Sequence, residues 1–192
     1  MAGADGPPPS AAGGSGLARL DAADQRLSRR VAVDWPHPRW LTLPLGAVSR
    51  TANYGVLWYA VALLPWFAGA RRPLATLLYV GVAVTAVEWL GYAVKHVVGR
   101  RRPSVADPTQ PNHIPLPVST SFPSSHASMS VAATWTLGTL YPAWLPALLT
   151  ATAVLSFSRV YLGVHYLGDV VAGLGFGLAA GALYVWIVPA PL

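Results

Sequence analysis

Apolar positions fall along the chain in blocks separated by short polar or basic stretches, and block length distinguishes the elements. In residues 17–35 the apolar positions Leu17, Leu20, Leu27, Val31 and Trp35 recur at three- and four-residue steps, with one gap at Asp24 and with Arg19, Arg26, Arg29 and Arg30 between them. That period predicts an amphipathic helix lying in a membrane interface, with a partner protein as the alternative occupant of its basic face. Pro36 and Pro38 end it. Residues 40–48 are apolar but too short to span and are cut by Pro44, which predicts an interfacial or re-entrant piece. Spans are expected at about 53–70, 74–98, 124–140, 143–157 and 167–188, with an irregular surface loop over 104–123. Gly173, Gly177 and Gly181 in the last span form a small-residue step suited to close helix packing. Residues 1–16 are Gly, Pro, Ala and Ser without apolar period and read as a disordered tail.

Composition turns this pattern into a class. Of 192 residues, 54% are hydrophobic and 10% charged, with a mean hydropathy of +0.45; a soluble globular domain does not fit. The expected fold is all-α, an integral membrane bundle of five to six transmembrane helices plus the N-terminal interfacial helix, with 36–192 as the membrane-embedded domain. Cysteine is absent, which excludes disulfides and thiolate metal sites. No basic region followed by an apolar run opens the sequence, so no cleavable signal peptide is expected. The net charge of +6 suits an anionic substrate, anionic headgroups or membrane topology. Nucleic acid is not an expected partner, because the basic residues flank apolar spans and form no separate basic domain.

Counting crossings brings three chemistry-bearing segments, 95–103, 122–126 and 158–169, to one membrane surface. Lys95 and Arg102 are seven residues apart and would share a face of a continuous helix, although a basic helix end is also ordinary topological signal. Pro123, Ser124, Ser125 and His126 open a span, where first-turn amides and two hydroxyls suit an anion; a simple serine cap is the alternative. His165 and Asp169 are four apart, so on a helix the carboxylate would orient one imidazole nitrogen and leave the other to attack or to take a proton. Arg159 offers a planar fork for a phosphate-type oxyanion, while the whole segment also reads as a charged connector. Glu88 lies inside a span, seven residues before Lys95, as the partner of a basic residue or as a neutral packing group. Beyond Glu88, only Asp107 and Asp169 are expected near that surface, too few acids for a two-metal site.

Together the three segments resemble the type 2 phosphatidic acid phosphatase (PAP2) superfamily, whose signature runs Lys-x6-Arg-Pro, Pro-Ser-x-His and Ser-Arg-x5-His-x3-Asp. Here the parts stand as KHVVGRRRP from Lys95, PSSH from Pro123 and SRVYLGVHYLGD from Ser158. Ser125 departs from the Gly or Asp of many members. The resemblance implies a membrane lipid phosphate phosphatase needing neither metal nor other cofactor. His165 would attack phosphorus and form a phosphohistidine, Asp169 would orient it, and His126 would protonate the leaving oxygen. Lys95, Arg102, Ser124, Ser125 and Arg159 would bind the phosphate. The small size without an inserted soluble domain resembles bacterial members acting on polyprenyl carriers, such as decaprenylphosphoryl phosphoribose or undecaprenyl diphosphate. Phosphatidic acid and phosphatidylglycerophosphate are the alternative substrates. A non-catalytic lipid-binding membrane protein is the alternative class. Vanadium haloperoxidases share the pocket, but their solubility does not suit these spans. Localisation in a bacterial cell membrane follows by the same analogy. Eleven basic residues on the site side against Arg71 and Arg72 opposite favour a cytoplasmic site.

Overall fold

The structure, a computed structural model, describes residues 16–67, 69 and 72–191 and contains no strand among them. Of the expected tail, residues 1–15 lie outside the described residues, and Gly16 already opens a helix. Helix α1 (Gly16–Arg29) widens into a π-type turn at Arg30–Asp34 just before Pro36. Helix α2 (Arg39–Thr51) continues through Pro44, which corrects the expectation of a piece cut there. Pro44 removes a single amide from the ladder, and the buried Leu45, Gly46 and Ser49 hold the following turn. Both ends of α2 lie at one end of the molecule. His37, just before it, stacks on His113 and Tyr161 at centroid distances of 4.1 and 4.2 Å, and Ser49 near its end meets Arg159.

A turn at Asn53–Gly55 leads into α3 (Val56–Phe67), α4 (Pro73–Val98), the short α5 (Pro103–Ala106), α6 (Ser125–Leu140), α7 (Leu145–Tyr161) and α8 (Leu167–Ile187). Among the described residues, three segments are long and apolar enough to cross a membrane: Pro73–Ala106, Pro142–Tyr161 and Leu167–Ile187. α3 and α6 have 12 and 16 residues, so length alone does not mark them as crossings.

The centre of the bundle is α6. Its Met129, Ala133 and Leu137 pack with Trp58 of α3, Val80 and Val84 of α4, and Leu148 and Leu155 of α7. Its other side receives α8 through the glycine step. A Cβ on Gly173 would stand 2.6 Å from the Ser124 carbonyl, and one on Gly177 would stand 2.3 Å from that of Ser128. Only glycine lets the two backbones approach so closely. The outer faces are apolar and uncovered, with Leu78 and Trp89 on α4 and Leu178 and Trp186 on α8 exposed. Only 22% of the apolar window of α8 is buried, a surface stable against lipid and costly against water. α1 carries exposed Leu17 and Leu20 and turns Asp24 and Ser28 onto the start of α8, so the gap in its apolar stripe has a structural cause.

Candidate active site

The end of α4, the start of α6, the end of α7 and the turn before α8 enclose, with the 114–120 loop, a cleft of about 830 Å³. Lys95, Arg102, Ser125, His126, Arg159 and His165 line it. Ser124 and Asp169 are fully buried beside it, and His126, the most exposed of the motif histidines and cations Lys95, Arg102, Arg159 and His165, is only 7% exposed. The convergence expected from crossing count is therefore present.

Local chain geometry explains how the cations meet. α4 ends at Gly99, whose φ of 64° is a left-handed cap that glycine adopts without strain. Arg102 thus leaves the helix that carries Lys95, which corrects the continuous-helix expectation. The 119–123 loop joins them instead. Lys95 Nζ donates to the Pro123 and Thr120 carbonyls at 2.6 and 3.1 Å. Arg102 donates through Nη2 to the same Thr120 carbonyl at 3.2 Å and through Nε to that of Ser119 at 2.8 Å.

Arg102 Nη1 also donates to the Val164 carbonyl at 2.8 Å and to His165 Nε2 at 3.1 Å. A guanidinium has no lone pair to offer, so Nε2 is the acceptor and the imidazole proton sits on Nδ1. Nδ1 stands 3.4 Å from Asp169 Oδ2, close but without hydrogen-bond alignment. Burial, and then Arg102, Arg159 and Lys95, hold the His165 imidazole well below its ordinary pKa and keep it neutral. His165 precedes the Tyr166 cap of α8, and Asp169 lies in the first turn and takes the Tyr166 amide at 2.9 Å. The pair therefore faces across a helix start, which corrects the expected shared helical face.

Arg159 is 1% exposed. Its Nη1 bonds Ser49 Oγ, while Nε and Nη2 have no partner among the described residues. His126 Nε2 donates to the Ser49 carbonyl at 3.0 Å, leaving Nδ1 as its other titrating nitrogen. Ser124 occupies the N-cap position of α6 without a side-chain cap bond; its amide donates to the Asp169 carbonyl at 3.0 Å, and its buried Oγ is unpartnered among the described residues. Glu88 lines the cleft without a salt bridge among the described residues, and Lys95 Nζ is engaged by carbonyls, so the ion-pair alternative is not formed.

Two groups escaped the sequence reading. Ser49 contacts both Arg159 and His126 and belongs to no motif. Arg100 bonds Asp169 Oδ1 at 2.8 Å and also Asp21 and Asp24 at 2.6 and 2.8 Å. The acids near this surface therefore include Asp21 and Asp24, more than sequence counting placed there, because α1 folds back onto α8. The break in the α1 stripe was the one available signal for Asp24; Ser49 left none.

Three buried cations, two imidazoles and a carboxylate gather in and beside one cleft at one end of an apolar helical bundle, a charge pattern suited to an anion. The chain belongs to the PAP2 superfamily, whose model matches residues 76–191. It is 32% identical over 136 residues to decaprenylphosphoryl-5-phosphoribose phosphatase of Mycobacterium tuberculosis, covering 71% of this chain and 74% of that protein. Undecaprenyl-diphosphatase of Sulfolobus acidocaldarius is 34% identical over 132 residues, covering 67% and 63%. The fold is similar to that of the transmembrane PAP2 type phosphatidylglycerolphosphate phosphatase from Bacillus subtilis, with a TM-score of 0.69 at 20% identity over 88% and 86% of the two chains.

Proposed function

We propose that this protein is an integral membrane phosphatase that hydrolyses a polyprenyl carrier phosphate or diphosphate, with the headgroup in the cleft and the tail between helices. One observation carries the reading: the buried Arg159 guanidinium keeps two unpartnered N–H-bearing nitrogens in the same cleft as the His165 Nε2 lone pair. Buried donors of this kind are costly unless an anion takes them. A phosphate oxygen that draws Arg102 Nη1 away frees the His165 Nε2 lone pair, which attacks phosphorus and forms a phosphohistidine as the leaving oxygen departs, while Asp169 faces Nδ1–H and stabilises the cation that develops. His126 protonates the leaving oxygen and then activates water. Lys95, Arg102, Ser124, Ser125 and Arg159 hold the oxygens over which transition-state charge spreads. The names of the two polyprenyl-acting relatives favour a prenyl carrier over a glycerolipid.

Five crossings by α3, α4, α6, α7 and α8, with α1 and α2 on the surface, fit the cleft at one end of the bundle. The excess of Arg at that end favours a cytoplasmic site in a bacterial cell membrane. Protein purified in detergent is expected to release phosphate from farnesyl phosphate or farnesyl diphosphate in EDTA, faster than from phosphatidic acid. His165→Ala is expected to lower that rate at least about 10³-fold. Turnover surviving His165→Ala overturns the assignment.

A further inference from the structure

The back of the His165–Asp169 pair is built by a helix that lies outside the matched family segment. Asp24 Oδ1 accepts the Gly168 amide, and Ser28 Oγ accepts the Leu167 amide, each at 2.8 Å, so α1 caps the start of α8. Asp24 Oδ2 takes Arg100 Nη2 at 2.8 Å, and Asp21 Oδ1 takes the same nitrogen at 2.6 Å. Arg100 then presents Nη1 to the buried Asp169 Oδ1 at 2.8 Å, with its guanidinium 4.1 Å from the Tyr166 ring centroid. Among the described residues, Arg100 is the one cation bonded to that carboxylate. A partly exposed arginine on a long stem would sample many rotamers alone; two α1 carboxylates and an aromatic face restrict it to one.

We propose that α1 is a clamp on the active site: Asp24, with Asp21, holds Arg100 against Asp169 and so fixes the carboxylate that orients His165. Asp24 and Arg100 are positioning residues, and the proposal rests on the phosphatase reading above. The competing role for α1 is that of a surface anchor only, in which case its exposed leucines and not its acids would matter.

The test uses the full chain in detergent with farnesyl phosphate and farnesyl diphosphate. Asp24→Asn retains an oxygen for the Gly168 amide and loses the charge, which separates capping from clamping. The double variant Asp21→Asn/Asp24→Asn, like Arg100→Gln, is expected to lower kcat about 10- to 100-fold with KM within about twofold, as for outer partners that orient a ligating histidine. Arg100→Lys is expected to restore part of kcat. Adding both Asn changes to Arg100→Gln is expected to cost nothing further, because the acids act through the arginine. Leu17→Ser, on the exposed side of α1, is expected to keep the wild-type kcat. Wild-type kcat in the double Asn variant, additive losses, or a Leu17→Ser loss as large as the Asp24→Asn loss overturns the clamp. If Arg100→Gln does not fold, the double Asn variant with Leu17→Ser decides. His165→Ala is measured alongside: an inactive His165→Ala with unaffected Asn and Gln variants overturns the clamp alone, whereas an active one overturns the phosphatase reading.

Discussion

Ser49 shows how much a single side chain outside every motif can do. Its hydroxyl holds the one Arg159 nitrogen that has a partner among the described residues, and its carbonyl holds His126. Ser49→Ala removes the first contact and keeps the second. Losing a hydrogen bond to a charged group costs about 1.5–3 kcal/mol, so kcat/KM is expected to fall roughly 10- to 100-fold, measured by steady-state phosphate release. His165 adds a pH effect whose sign follows from its lowered pKa. Free imidazole titrates near about 6.5. Below that pH the unfolded chain takes up a proton that the folded chain refuses, so stability is present above about 6.5 and is lost as pH falls toward the folded value. His165→Asn is therefore expected to reduce the drop in melting temperature between about pH 7 and pH 5, read by thermal unfolding in detergent. The motif residues were legible because their types and spacings carry chemistry; Ser49 was not, because a lone serine in an apolar stretch has no local signature.

At the scale of elements, the contact between α6 and α8 decides whether the site exists. Ser124 stands at the N-cap position of α6 and its amide bonds the Asp169 carbonyl of α8, so any separation of the two helices pulls Ser124 from the His–Asp pair. Gly177→Val places a Cβ 2.3 Å from the Ser128 carbonyl, and overpacking of this kind costs about 1–3 kcal/mol. The expected outcome is a lower melting temperature together with reduced kcat, from thermal unfolding and phosphate release on the same sample. Gly175→Val, on the same helix with open space around its Cβ, is expected to leave both near wild type. Whereas the short α5 fell in the stretch expected to be an irregular loop, the positions of α4, α6, α7 and α8 were legible from block length and the glycine step from its spacing. The course of α2 was not, because Pro44 reads as a break in one dimension while the buried turn after it holds the helix in three.

For the whole molecule, crossing count and structure agree that the chemistry gathers at one end of an apolar bundle. The excess of Arg at that end supports the proposed cytoplasmic site, and Val118 is suited to report the side, being fully exposed on the cleft loop. In this cysteine-free chain, Val118→Cys is expected to resist an impermeant maleimide in intact cells and to react after permeabilisation. Labelling of intact cells would place the site outside.

Sequence alone determined the helical membrane class, since so apolar a chain can bury its backbone polar groups in lipid only as helices or a closed barrel and its block lengths suit helices. It also determined the motif residues, whose spacing persists wherever the chain goes. Tertiary structure alone decided what holds them. Lys95 and Arg102 meet through loop carbonyls after a glycine cap, Asp169 faces His165 across a helix start, and α1 returns to grip Arg100. Those contacts join residues far apart in the chain, and their partners are backbone carbonyls, amides and single acids that periodicity does not distinguish from their neighbours.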